Sequence, residues 1–127
     1  MKRFVFLVMM VAAVMFSLSI AHCEAKDVWV DRWQNSNADI YMMDETLAWE
    51  ENLNGKFFRV TTKEVQNGKV KRFIKWKYVK HGQEMWRYET NQMGGTHMTT
   101  VSPGDQVFAF CMKRIGWQYR TEELWCY

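Results

Sequence analysis

His81 and His97, together with a lysine, are the residue types that general acid–base cleavage of RNA would use. His81, however, sits beside Gly82 in a predicted turn, and His97 near the start of a strand. A solvated loop residue is the plainer explanation of the first. No third ligand gathers with them, so no metal site is expected. Serine occurs in no Gly-x-Ser-x-Gly setting, and Glu50-Glu51 and Glu122-Glu123 are neighbours in sequence rather than a separated acid and base. The sequence offers no catalytic constellation and calls for no cofactor. The protein is expected to be non-catalytic.

Cys111 and Cys126 have neither CxxC nor zinc-knuckle spacing. They are expected to form a structural disulfide. Closing a loop of about 15 residues would stabilise the fold by roughly 3 kcal/mol in the chain-entropy treatment.

Binding is the chemistry the residues favour. Arg59, Lys63, Lys71, Lys75 and Lys77 crowd one face of two consecutive β-type runs, and Phe73 interleaves with them. On one sheet face they would attract an acidic envelope polymer, a phospholipid surface or nucleic acid, with a protein partner as a further alternative. The bland alternative is a solvated face that discourages edge aggregation. Trp86 and Tyr88 share a strand face and are read as core rather than as a stacking platform.

Several elements must position these groups. Short β-type runs separated by turn signals predict strands at Val28–Trp33, Ala38–Met43, Phe57–Val65, Lys69–Val79, Glu84–Thr90 and Thr96–Val101. For the third and fourth, a three-residue loop Gln66-Asn67-Gly68 would pair Val60 with Ile74 and Phe58 with Trp76, segregating apolar from basic residues. A helix follows, with Ser102 as N-cap, Pro103 at the first position, a stripe of Val107, Phe108, Cys111 and Ile115, and Gly116 at its end. Leu47, Trp49 and Leu53 fit either a helical turn or an irregular strand. The fold class is α+β: a twisted antiparallel sheet of about six strands with one C-terminal helix packed on it.

Residues 1–25 set the compartment. Lys2 and Arg3, the uncharged run Phe4–Ala21 and the small-residue boundary at Cys23-Glu24-Ala25 describe a secretory signal peptide. Residues 26–127 are then one secreted or periplasmic domain of the cell envelope. A membrane is its partner only if Cys23 is lipidated or the leader stays uncleaved as an anchor. The 127-residue chain carries a net charge of +3 and seven Trp, five Tyr and eight Phe, enough aromatic mass for a small core. That weak charge does not demand a nucleic-acid partner, and none is expected.

A strand carrying Tyr41, then Asp44-Glu45-Thr46-Leu47, then an Asn-Gly turn and the strand Phe57–Val60, resembles the surface-adhesin protein E-like domains. These are small exported bacterial domains built on an antiparallel sheet. The likeness covers residues 28–79, with Thr-Leu standing where Ser-Ile is more usual. It implies an envelope-associated binding protein and assigns no ligand. The alternatives are a protein inhibitor of a secreted hydrolase, presenting Met93-Gly94-Gly95, and a small secreted nuclease.

Overall fold

In the computed structural model, residues 27–94 and 98–127 are described. The leader, with Cys23, and the positions Gly95 and His97 lie outside them. Alternation of apolar and polar residues produces six antiparallel strands that follow one another across a single sheet: β1 (Asp27–Trp33), β2 (Ala38–Asn52), β3 (Gly55–Gln66), β4 (Lys69–His81), β5 (Arg87–Thr90) and β6 (Thr99–Thr100). One helix, α1 (Gln106–Ile115), packs against β1 and β2. A small hairpin of β7 (Thr121–Glu122) and β8 (Trp125–Cys126), absent from the sequence expectation, ends the chain. Among the described residues, no helix is long and apolar enough to cross a membrane.

The β3–β4 turn differs from the expectation. Asn67 (φ 53°) and Gly68 (φ 75°) are both left-handed, the signature of a two-residue turn matched to strand twist. Gln66 pairs with Lys69 and Val65 with Val70, but Glu64 pairs with Arg72, leaving Lys71 without a cross-strand partner. This bulge shifts the register by one residue. Val60 therefore faces Trp76, and Phe58 faces Tyr78, rather than Ile74 and Trp76. A two-residue turn alone would have set apolar residues opposite lysines; the bulge restores segregation.

The resulting inner face carries Phe58, Val60, Thr62 and Glu64 of β3 with Ile74, Trp76 and Tyr78 of β4, all buried. Val107, Phe108, Cys111 and Met112 of α1 cover the core with Val30, Ile40 and Met42. Phe58 stacks on Tyr78 with centroids 4.6 Å apart, and Phe108 meets Trp86 edge-on at 5.3 Å. Trp86 is buried and Tyr88 packs on Trp76 and Tyr78 with centroids 5.7 Å from each, so both are core. The polar members are satisfied: Trp76 Nε1 donates to Thr62 Oγ1 at 2.8 Å, and Arg72 donates twice to Glu64, at 2.7 and 3.2 Å.

The cap of α1 is Asp105, not Ser102. Its Oδ1 accepts from Phe108 N at 3.0 Å, while Asp105 N donates to Ser102 O in the preceding turn. Asp105 also accepts from Tyr78 Oη, a bond available only to a cap placed over the sheet.

The expected disulfide is not formed. Cys111 and Cys126 are separate buried thiols, and Cys111 Sγ donates to Met42 Sδ at 3.6 Å. The tail is held instead by backbone bonds. Trp86 N donates to Cys126 O at 2.9 Å, and Arg120 and Tyr127 exchange both of theirs.

Leu47 and Trp49 belong to β2, which is longer than expected because it absorbs a wide bulge. Met43 pairs with Thr61 and Ala48 with Arg59, so Asp44 to Leu47 stand opposite Val60 alone. Thr46 Oγ1 fills the gap, accepting from Thr61 N at 2.8 Å and donating to Met43 O at 2.6 Å. Asp44, swung outward, accepts two bonds from Arg114 at the end of α1, at 3.0 and 2.6 Å. Gly55 closes the β2–β3 hairpin where a Cβ would lie 1.9 Å from Lys80 O.

Candidate functional site

Strand register composes the outer face in rows, because directly paired residues project to the same side. One row runs Trp29, Tyr41, Lys63, Phe73 across β1 to β4. The next runs Asp27, Met43, Thr61, Lys75. A third runs Ala48, Arg59, Lys77, Glu89 across β2 to β5. An aromatic row thus lies beside two rows that carry cations.

Five of the six residues named from the sequence fall in these rows: Arg59, Lys63, Phe73, Lys75 and Lys77. Lys71 does not; it is exposed on the bulge. Arg59, Lys75 and Lys77 line one open cavity of about 450 Å³, together with Thr46, Thr61, Glu89, Thr90 and Asn91. Arg59 and Lys77 also line an adjoining cavity of about 440 Å³ beside Trp49, Glu50 and Phe57.

Ion pairing divides the cations. Lys63 is bound to Asp27, and Lys77 lies 3.9 Å from Glu89. Arg59 and Lys75 have no acidic partner within 4.0 Å among the described residues. Arg59 also stands directly opposite Lys77, a like-charge pairing that disfavours the sheet unless an anion approaches.

Trp29, 53% exposed, and Phe73, 48% exposed, are the open ends of the aromatic row. Trp29 Nε1 donates to Asp39 Oδ1 at 3.1 Å, which anchors the indole by its edge. That bond, and after it the Arg32 guanidinium, hold the Asp39 carboxyl below its ordinary range against an opposing effect of burial. The sequence contained Trp29 and Tyr41, but only the register across three strand pairs aligns them with Phe73.

A second basic group, Lys56, Lys80 and Arg120, was not anticipated. Lys56 faces Lys80 across β3 and β4, and a cavity of about 310 Å³ is lined by Lys80, Gln83, Tyr119 and Arg120. Burial, then Lys56 and Arg120, press the Lys80 amine below its usual value. These cations have internal partners, however: Lys56 sits 5.3 Å from the Trp117 ring centroid, and Arg120 bonds Glu122 and lies 4.8 Å from the Tyr127 ring. The outer face is the stronger candidate.

His81 ends β4, exposed and opposite Gly55, with His97 outside the described residues. Among the described residues, no group of three or more His, Cys, Asp or Glu is arranged to hold a metal. Neither a protein-family model, a curated protein nor a solved structure matches the chain.

Proposed function

We propose that this protein is an exported, non-catalytic binding module of the cell envelope that holds an anionic polymer against the outer face of its sheet. The observation that carries this is the cavity bounded by Arg59, Lys75 and Lys77, in which two cations have no acidic partner among the described residues. The groups sit on adjacent strands of a hydrogen-bonded sheet, so their backbone positions are set before a ligand arrives. An open, wet cleft suits a polymer that enters from the side better than a small molecule needing enclosure.

Binding of polyphosphate to the wild-type protein and to an R59Q, K75Q, K77Q variant tests the proposal. The variant is expected to bind about tenfold more weakly or worse, and wild-type affinity to fall as salt rises. Equal binding by both proteins would reject the face as the site. Intact mass of the protein recovered from the producing cell's envelope tests export: retention of residues 1–25 would contradict the proposed processing.

A further inference from the structure

Alongside its cations the outer face carries three aromatic side chains in one register row. Trp29 on β1 pairs with Tyr41 on β2, Tyr41 with Lys63 on β3, and Lys63 with Phe73 on β4. Three strand spacings separate the ends, about 14 Å. Among the described residues, Trp29 and Phe73 are half exposed and lie outside the buried core cluster, in contrast to Trp86 and Phe108. A ligand that was merely a string of charges would gain little from this row.

The same face also holds carboxylates. Asp27 and Glu89 end the cation rows, and Asp39 lies beside Trp29. Lys63 holds Asp27, Lys77 lies near Glu89, and Arg32 and Trp29 hold Asp39, so the face offers few unpaired cations to a backbone with a phosphate on every residue. The carboxylates do accept hydrogen bonds from hydroxyl groups. Thr61, in the middle of the second row and lining the cavity, supplies a hydroxyl able to donate or accept. Cations, acceptors and ring faces together describe a ligand with sparse negative charge, many hydroxyls and flat apolar ring faces.

We propose that the occupant of this face is an acidic polysaccharide, whose sugar rings stack on Trp29, Tyr41 and Phe73 while its carboxylates reach Arg59, Lys75 and Lys77. This rests on the anionic-polymer reading and adds the ring-bearing chemistry. Single-stranded nucleic acid, which also combines rings with charge, is disfavoured by the few unpaired cations and becomes an outcome of the test.

The test compares wild type with a W29A, F73A variant against three probes: polygalacturonate, polyphosphate and oligothymidylate. Polygalacturonate affinity is expected to fall about tenfold or more in the variant, with polyphosphate affinity unchanged. Should polyphosphate bind and the variant hold polygalacturonate as tightly as wild type, the polysaccharide inference fails while the basic-face proposal stands. If wild type binds neither polyanion, both fail. Tighter wild-type binding of oligothymidylate than of polygalacturonate, lost in the variant, would assign the row to nucleic acid and overturn the inference. As a check independent of variant folding, the wild-type Trp29 indole N–H resonance should shift with polygalacturonate and stay in place with polyphosphate. An unmoved resonance under saturating polygalacturonate would overturn the inference.

Discussion

Tyr78, in the middle of the sheet, donates its phenolic hydrogen to Asp105, the cap of the helix, across 3.0 Å. Burial, then the facing Asp105 carboxylate, hold the phenol well above its ordinary range, so it remains a donor at any physiological pH. One carboxylate thereby satisfies both the helix start and a hydroxyl buried in the core.

Replacing Asp105 with Ala removes the cap and strands that hydroxyl. Together these should cost about 2–4 kcal/mol, read as a lower urea midpoint with an unchanged slope. The pH dependence has a definite sign. Burial raises the folded Asp105 carboxyl above the ordinary carboxylate range. Between the unfolded value and the raised folded one, the native state holds more protons, so this group's stabilising contribution is complete below the unfolded value. It is lost as pH rises through the folded value. Asp105→Asn should erase that component, and wild type should gain stability relative to it on acidification over that window. A difference between the two that does not vary with pH would contradict the assignment.

Glu64 and Arg72 should respond asymmetrically. Glu64 is fully buried, whereas the Arg72 side chain is 40% exposed. Arg72→Ala leaves a buried carboxylate without its donor, and a melting-temperature loss on the order of 10 °C is expected. Glu64→Gln leaves an arginine free to turn to solvent, so its loss should be clearly smaller. Thermal scans of the two variants side by side decide it; an equal or reversed order would show that the carboxylate is not the costly member.

The thiols make a third prediction. Burial, and after it Asp105 and Asp44, push the Cys111 thiol up to about 12. Burial also raises Cys126. Neither should react with iodoacetamide at pH 8 in the folded protein. Both should alkylate in denaturant without reductant, adding two labels by mass. No label until reductant is added would mean that the chain is cross-linked.

Much of the sheet was legible because alternation has a period of two, and any register that segregates the faces keeps the basic residues together. The choice between two such registers was not. Turn length and bulge compensate, and Lys71 as the unpaired residue carries no compositional mark. The bulge on β2 escaped for a similar reason: Thr46 supports it with one hydroxyl, and threonine is equally at home in an unbroken strand. The helix cap was misplaced because Ser102-Pro103 is a strong local signal, whereas Asp105 is favoured by Tyr78, 27 residues earlier. The disulfide expectation rested on count and compartment, and neither specifies the packing in which Cys111 lies against Met42 rather than bonded to Cys126. In the candidate site, the cations could be read from one hairpin. The aromatic row could not, since it needs the register of three strand pairs at once.

The packing of α1 onto β1 and β2 has a consequence for the order in which the chain is made. The six strands can pair as they emerge, each with the one just synthesised. The inner sides of the first two, Val30, Ile40 and Met42, stay uncovered until Gln106–Ile115 has followed. A chain that has reached β6 but lacks the helix is a sheet with an open apolar side, the kind of species on which chaperones and aggregation compete. A chain cut short before Gln106 therefore keeps that apolar side open, and the residues from Gln106 onward are what cover it.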